Sequence, residues 1–306
     1  MYDIIGDIHG HAARLQSLLE KLGYAQESDQ CYRHATRQVI FVGDFIDRGP
    51  QIREVLETVR AMVEGGSALT VMGNHEYNAI AYSIERLNEP GHYLRRHNEK
   101  NTGQYQQTLN QLSPDELEDW VGWFRTLPAW LELDDLRVVH ASWNPPAMAL
   151  FDEVLQQYGH FTDDFMHAAC DTGSELFRAV ETVLKGVEVP LPDGVTFADK
   201  DGNVRHKFRS RWYASPIGQT VRSYVLGSDS GFPDLPLSNQ AIAAACPYSP
   251  DEIPVFVGHY WLRAENPSLL ASNVACVDYS VAKGGFLCAY RWNGEANLSD
   301  ENFVTV

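Results

Sequence analysis

The chain has 306 residues, 44% of them hydrophobic and 21% charged. That is enough for a substantial buried core and too ordinary for a disordered, collagenous or coiled-coil protein. Its 41 acidic against 24 basic residues leave a formal charge of −17, which opposes duplex nucleic acid and anionic membrane as partners and, at face value, a phosphorylated substrate.

In chain order, residues 2–5 form a β-rich run that stops at Gly6. Leu15, Leu18, Leu19 and Leu22 recur at helical spacing and predict a helix over 11–22. Residues 38–42 predict a second strand. Ile52, Val55, Leu56, Val59 and Met62 predict a second helix. A third strand covers 68–72, a helix follows from Glu76, and 137–139 is a fourth strand. This alternation implies an α/β chain built on a mostly parallel sheet layered with helices. Three more strands, 255–257, 274–277 and 286–292, lie close together. The last two leave no room for a crossover helix and predict an antiparallel or mixed continuation.

Two segments interrupt this pattern. Residues 89–130 are polar and predicted helical; 98–111 is rich in Asn and Gln, and Ser113-Pro114-Asp115-Glu116 reads as a helix start. Residues 142–252 are irregular, with Asn144-Pro145-Pro146, a helical stretch near 174–185, and turns at Pro190, Pro192 and Asp193-Gly194. Both are expected to be insertions in one domain spanning 1–306, either plain surface additions or caps over a site. The first ten residues carry no leader pattern, and no apolar run approaches the ~20 residues of a membrane helix. Cys31, Cys170, Cys246, Cys276 and Cys288 are odd in number without CxxC spacing. The expectation is a reducing cytoplasm and no disulfide framework.

The chemistry sits where strands end. Apolar runs lead into Gly6-Asp7-Ile8-His9-Gly10, Gly43-Asp44-Phe45-Ile46-Asp47-Arg48-Gly49, Gly73-Asn74-His75-Glu76, His140-Ala141 and Gly258-His259. The carboxyl ends of strands are where open α/β sheets bind ligands. A lone Gly-Asp is most often a turn, and a lone His on a strand is most often core. Five such elements in sequence are not explained that way. Asp7, His9, Asp44, Asn74, His140 and His259 are all O or N donors with no Cys among them, a set suited to Mn, Fe, Zn or similar divalent ions.

These motifs resemble those of the calcineurin-like metallophosphoesterases. The DRG and NHE forms are closest to the phosphoprotein phosphatase branch, including its small bacterial members and the symmetrical diadenosine tetraphosphatases. The resemblance covers roughly 1–80, 136–142 and 254–292. It implies a layered β-sheet sandwich flanked by helices, and a centre of two divalent ions, with Mn the first choice and Fe, Zn, Ni or Mg as others. Asp7, His9 and Asp44 would hold the first ion. Asp44 would bridge to the second, completed by Asn74, His140 and His259. Some members carry GHxH at the last motif; here Trp261 stands in place of the second His, which leaves the first ion three protein ligands and argues against a nuclease.

The resemblance also implies His75 as general acid or phosphate-orienting group, Asp47 as its partner, and Arg48 on phosphate oxygens. A second phosphate-binding Arg is expected between the late histidines. Arg211 is preferred over Arg209 in the segment 209–213, whose alternation would put both on one strand face. Asp278 is expected either to support a ligand His or to cap a strand. Trp143 and Trp212 fall near site loops and could pack against a substrate. The expected activity is metal-dependent hydrolysis of phosphomonoesters, from a small phosphoester, nucleotide or phosphopeptide, by metal-activated water. The alternatives are a dinucleoside polyphosphate hydrolase of the symmetrical type and a non-catalytic scaffold on the same fold.

Overall fold

The computed structural model describes residues 1–198, 204–227 and 231–306. The strands used below are β1 (Tyr2–Ile5), β2 (Gln38–Phe41), β3 (Ala68–Thr70), β4 (Trp130–Glu132), β5 (Arg137–Val139), β6 (Glu188–Pro190), β7 (Lys207–Arg209), β8 (Val255–Val257), β9 (Val274–Cys276), β10 (Asp278–Tyr279), β11 (Phe286–Trp292) and β12 (Phe303–Thr305). The helices are α1 (Ala12–Leu22), α2 (Ile52–Glu64), α3 (Asn74–Ser83), α4 (Glu99–Gln111), α5 (Pro114–Phe124), α6 (Pro145–Tyr158), α7 (Asp163–Ala169) and α8 (Glu175–Lys185).

Two sheets carry the scaffold. The first runs β10-β11-β1-β2-β3, with β12 paired to β11; the second runs β9-β8-β5-β4. β1, β2 and β3 are parallel, and β11 joins β1 antiparallel with Ile4 opposite Tyr290. In the second sheet β8 is parallel to both β5 and β9. The parallel first half and the antiparallel return near the C-terminus agree with the sequence. The division into two sheets does not follow from it, because a pairing such as Arg137 with Val255, distant in sequence, leaves no local signal.

Side-chain alternation explains why the sheets stack. Ile4, Ile40, Val42 and Val71 of the first sheet pack with Val138, Phe256, Ala275 and Val277 of the second in one buried cluster. The opposite faces, with Ile5, Val39 and Phe41, pack under the leucines of α1 and the apolar stripe of α2. Strands buried on both faces read as unbroken apolar runs, which is why they were legible. The layered α/β sandwich is therefore as expected.

The two interrupting segments have structure of their own. The first contributes α4 and α5; α5 starts at Pro114 with a reciprocal Ser113–Glu116 cap. The second contributes α6 to α8 and the β6–β7 hairpin, which sits over a separate small core of Val189, Phe208, Val221, Tyr224 and Phe232. All five cysteines are free. Among the described residues no helix is long and apolar enough to cross a membrane.

Candidate metal centre

All five polar turns converge where the two sheets end. The N–H groups of Ile8 and His9 donate to the Asp44 carbonyl at 3.1 and 2.9 Å, tying the turn after β1 to the turn after β2. Gly43 takes φ +93°, and a Cβ there would lie 2.3 Å from the Gly73 nitrogen, so glycine lets the second and third turns touch. Six of the nine left-handed non-glycine residues described lie here: His9, Asp44, Asp47, Arg48, His259 and Trp261. Each such conformation costs on the order of 1–3 kcal/mol and persists only where surrounding contacts over-determine it.

Glu76 is the main such contact. The sequence predicts a helix from Glu76, but α3 begins at Asn74, because Glu76 reaches back to the Gly73 N–H at 3.0 Å. The same carboxylate accepts the N–H groups of Asp44 and Phe45, each at 2.8 Å. One fully buried side chain thus fixes both turns. Burial and the neighbouring Asp44 push its pKa up to about 7. Sequence reasoning gave Glu76 no role; the Gly-x-x-Glu spacing at a helix start was the available signal. Glu76→Gln turns one acceptor oxygen into a donor facing a backbone N–H. It is expected to cost about 1–3 kcal/mol, read as a lowered denaturation midpoint. Unchanged stability would contradict this role.

Asp44 lies at the middle. Its Oδ1 accepts the His75 N–H at 2.9 Å and stands 3.4 Å from His140 Nε2. Its Oδ2 stands 3.6 Å from His9 Nε2 and 3.8 Å from His75 Nε2. Two groups of converging donor atoms result, His9–Asp44–His75 and Asp44–His140–His259. Asn74 Oδ1 adds to the second, 3.2 Å from His140 Nε2 and 2.6 Å from His259 Nδ1. Asp44 is common to both groups, as a bridging carboxylate must be.

The residues fit divalent cations. The Nδ1 atoms of His9 and His140 face the carbonyls of Ile46 and Val42 at 2.9 and 2.7 Å, which leaves each Nε2 lone pair for a metal. His9 Nε2, Asp44 Oδ2 and His259 Nε2 are buried without a hydrogen-bond partner. Leaving one such atom unsatisfied costs about 1–3 kcal/mol, so His9 Nε2 and Asp44 Oδ2, 3.6 Å apart and both without a partner, call for a ligand of their own. Asp7 is buried beside them, but its carboxylate accepts the His259 N–H at 3.0 and 3.2 Å and belongs to neither group.

Electrostatics point the same way. Burial, with Asp278 and Asp44, pushes Asp7 well above the usual carboxylate range. Burial alone would raise Asp44 too, but the rings of His140, His75 and His9 outweigh it and hold that carboxyl low. Burial drives His9 and His259 well below the usual imidazole range, as neutral metal ligands require.

His75 stands at the rim of the donor cluster. Its Nδ1 pairs with Asp47 Oδ2 at 2.5 Å, and its Nε2 faces Arg48 Nη2 at 3.2 Å. Asp47 is itself held by Thr108, whose hydroxyl donates to Oδ1 at 2.6 Å, and the Asp47 N–H donates back to that hydroxyl at 3.1 Å. Gln111 accepts from the Ile52 N–H and donates to the Gly49 carbonyl. The Asn- and Gln-rich helix α4 therefore props the Asp47-Arg48-Gly49 turn. Thr108 carried no sequence signal, because its contact spans 61 residues.

Arg48 stacks on Trp261, its guanidinium carbon 3.4 Å from the ring centroid, and Lys283 Nζ stands 4.0 Å from the same centroid. Asp278 accepts the Trp261 N–H at 2.6 Å and the Ser280 N–H at 3.0 Å. It holds this loop rather than a histidine ring. Trp143 and Trp212 are core residues, only 4% and 2% exposed, and line no part of the cleft; Trp261 does.

Above the donor cluster opens a cleft of about 1380 Å³. Eight Lys and Arg side chains line it, among them Arg48, Arg95, Lys100, Lys185, Arg209 and Arg211, and among the described residues no Asp or Glu does. One third of the chain's 24 cations thus faces one opening. Both Arg209 and Arg211 reach it, on either side of Ser210, which bridges antiparallel to Val225. β7 ends at Arg209, and Arg211 starts a turn, its N–H donating to the Tyr224 carbonyl at 2.8 Å.

A family model described as calcineurin-like phosphoesterase matches residues 2–189. The chain belongs to that family. The matched part of this phosphoesterase covers β1 to β5, α1 to α8 and four of the five polar turns; the Gly258-His259 turn lies beyond it. Similar proteins include an asymmetrical bis(5'-nucleosyl)-tetraphosphatase of Anoxybacillus flavithermus, 33% identical over 46% of this chain and 56% of the relative. Another of that name, from Halalkalibacterium halodurans, is 36% identical over 41% and 48%. The phosphoesterase spans about half the length of the curated relatives it matches. Among solved structures, a cold-active protein-tyrosine phosphatase of a psychrophilic Shewanella aligns with 99% of this chain and 79% of its own at TM-score 0.51. At 18% identity that likeness concerns the fold alone.

Proposed function

We propose that this phosphoesterase is a two-metal hydrolase of small nucleotide polyphosphates, of the dinucleoside tetraphosphate kind. The observation that carries the reading is the charge of the cleft. Among the described residues eight cations and no carboxylate line an opening much wider than one phosphate, in a chain whose net charge is −17. The remaining surface is then more acidic still, so the field is focused on one place and rewards a compact, multiply charged ligand. The names of the relatives point to the same substrate class. They specify asymmetrical cleavage, where the resemblance read from the sequence had pointed to the symmetrical type.

In this reading Asp7, His9 and Asp44 hold one ion, and Asp44, Asn74, His140 and His259 hold the other, with Mn the first ion to try. Bound there, two such ions supply Lewis acidity at the phosphoryl group and lower the pKa of water. Arg48, Arg211 and Arg209 bind phosphoryl oxygens. His75 delivers a proton to the leaving oxygen from Nε2, while Asp47 holds Nδ1. The segments 89–130 and 142–252 act as caps on a single domain of 1–306, the first carrying Arg95 and Thr108, the second Arg209 and Arg211. The protein works in the reducing cytoplasm, where five unpaired cysteines are unexceptional. A non-catalytic scaffold is disfavoured because no donor residue is missing.

The Mn-loaded protein should be compared on p-nitrophenyl phosphate, a phosphopeptide and diadenosine tetraphosphate. The expected result is metal-dependent release with the highest kcat/KM on the dinucleotide, giving ATP and AMP rather than two ADP. A phosphomonoesterase uses the same centre but ranks the substrates in reverse. That ranking would overturn this reading.

A further inference from the structure

Arg95 stands apart from the residues assigned so far. It precedes α4 and lines the cleft with Lys100, Asn101 and Gln104. It also lines a small adjoining recess with Asp47, His75 and Asn78, so it flanks the His75–Asp47 pair. Its Nη1 donates to Asn78 Oδ1 at 3.0 Å and its Nη2 to Gln104 Oε1 at 2.6 Å. Among the described residues these partners are neutral amides, and Arg95 enters no ion pair. By contrast, Arg33, Arg37, Arg53, Arg60, Arg125 and Arg137 all pair with carboxylates.

The choice of partner has a physical consequence. A carboxylate would orient the guanidinium and also cancel its charge. An amide oxygen orients it and leaves the charge standing. A guanidinium has five N–H donors, and two are used here. The remaining edge can take a phosphate group bidentately. The amide-rich composition of 98–111 gains a reason on this account, since Gln104 aims Arg95 just as Gln111 holds the Gly49 turn. Lys100 is exposed and adds a second cation to the same wall.

We propose that Arg95, aimed by Asn78 and Gln104 and assisted by Lys100, forms a second anion subsite that holds phosphate groups of a polyphosphate chain beyond the one at the donor cluster. The inference rests on the polyphosphate reading above and deepens it. The subsite discriminates by chain length: orthophosphate at the cluster cannot also reach Arg95, whereas a chain of several phosphates can.

The test measures inhibition of p-nitrophenyl phosphate hydrolysis by the Mn-loaded protein in excess Mn, with orthophosphate and with ATP as inhibitors. Arg95→Gln is expected to weaken ATP about tenfold more than it weakens orthophosphate, the loss of a charge-assisted contact. Arg95→Lys should recover part of that difference. Lys100→Gln, at an exposed position that cannot threaten the fold, should shift the ATP-to-orthophosphate ratio in the same direction by about threefold. Equal shifts for both inhibitors, or no shift in any variant, would overturn the subsite. The two readings are separable. If diadenosine tetraphosphate is not cleaved but ATP discrimination depends on Arg95, the subsite stands and the dinucleotide assignment falls. If the dinucleotide is cleaved and ATP discrimination ignores Arg95, the reverse holds.

Discussion

Asp44→Asn is expected to reduce metal-dependent hydrolysis by roughly a thousandfold or more. Lewis-acid stabilisation of the transition state is worth several kcal/mol, and each 1.36 kcal/mol is about a factor of ten. The substitution is nearly isosteric. An asparagine Oδ1 can still accept the His75 N–H now received at 2.9 Å, so the turn should keep its shape. What is lost is the negative charge common to both donor groups. A second readout separates a lost metal from a damaged fold. In the metal-free protein Asp44 contributes to raising both Asp7 and Glu76, although burial is the larger cause in each. Removing its charge relieves that repulsion but also loses its attraction to the rings of His140, His75 and His9, which hold Asp44 ionised, so the metal-free variant should melt at or somewhat below the wild-type temperature. Added Mn should raise the melting temperature of the wild type and much less that of the variant. Near wild-type turnover in Asp44→Asn would refute the assignment.

The second large effect belongs to His75. Its imidazole reaches Asp47 through Nδ1 and opens toward Arg48 and Asp44 through Nε2. Arg48 Nη2, a donor only, faces Nε2 here, so Nε2 can carry a proton toward a leaving oxygen once Arg48 has turned to a phosphate oxygen, with Nδ1–H still held by Asp47. His75→Asn is expected to lower kcat by about 10²–10⁴-fold, the usual span for a positioned general acid. The loss should grow as the leaving group worsens, since p-nitrophenolate departs without help. Asp47→Asn should cost less, about 10–100-fold, because it removes only the orienting partner. Thr108→Val acts one step further out and should follow Asp47→Asn in direction with a smaller loss. A His75 effect independent of the leaving group would assign the residue to phosphate binding instead.

The parts of the fold legible in the sequence are those with dense local signal. β1, β2, β5, β8 and β11 are apolar runs bounded by polar turns, and each lies within a residue of its expected place. α1 and α2 announced themselves by leucine and valine spacing. The site residues were legible for another reason. Donor side chains at five successive strand ends form one chemical set, and the structure draws most of that set to within a few ångströms of Asp44. Asp7 is the member it leaves facing the His259 backbone. The residues that escaped notice act through contacts distant in sequence. Thr108 touches Asp47 across 61 residues, and Asn78 touches Arg95 across 17. Trp261 was marked only by what it is not, a histidine, and its stacking under Arg48 needed the fold to appear. The net charge narrowed the ligand without excluding phosphate. A formal −17 disfavours an extended polyanion across the surface, and the gathering of cations in one cleft became visible only in the fold.

Whether two ions share one carboxylate can be read from anomalous diffraction by crystals of the Mn-loaded protein. Two Mn peaks per chain are expected, one on either side of the Asp44 carboxylate, the first beside His9 and the second between Asn74, His140 and His259. A single peak, or two peaks that do not share Asp44, would contradict the shared centre.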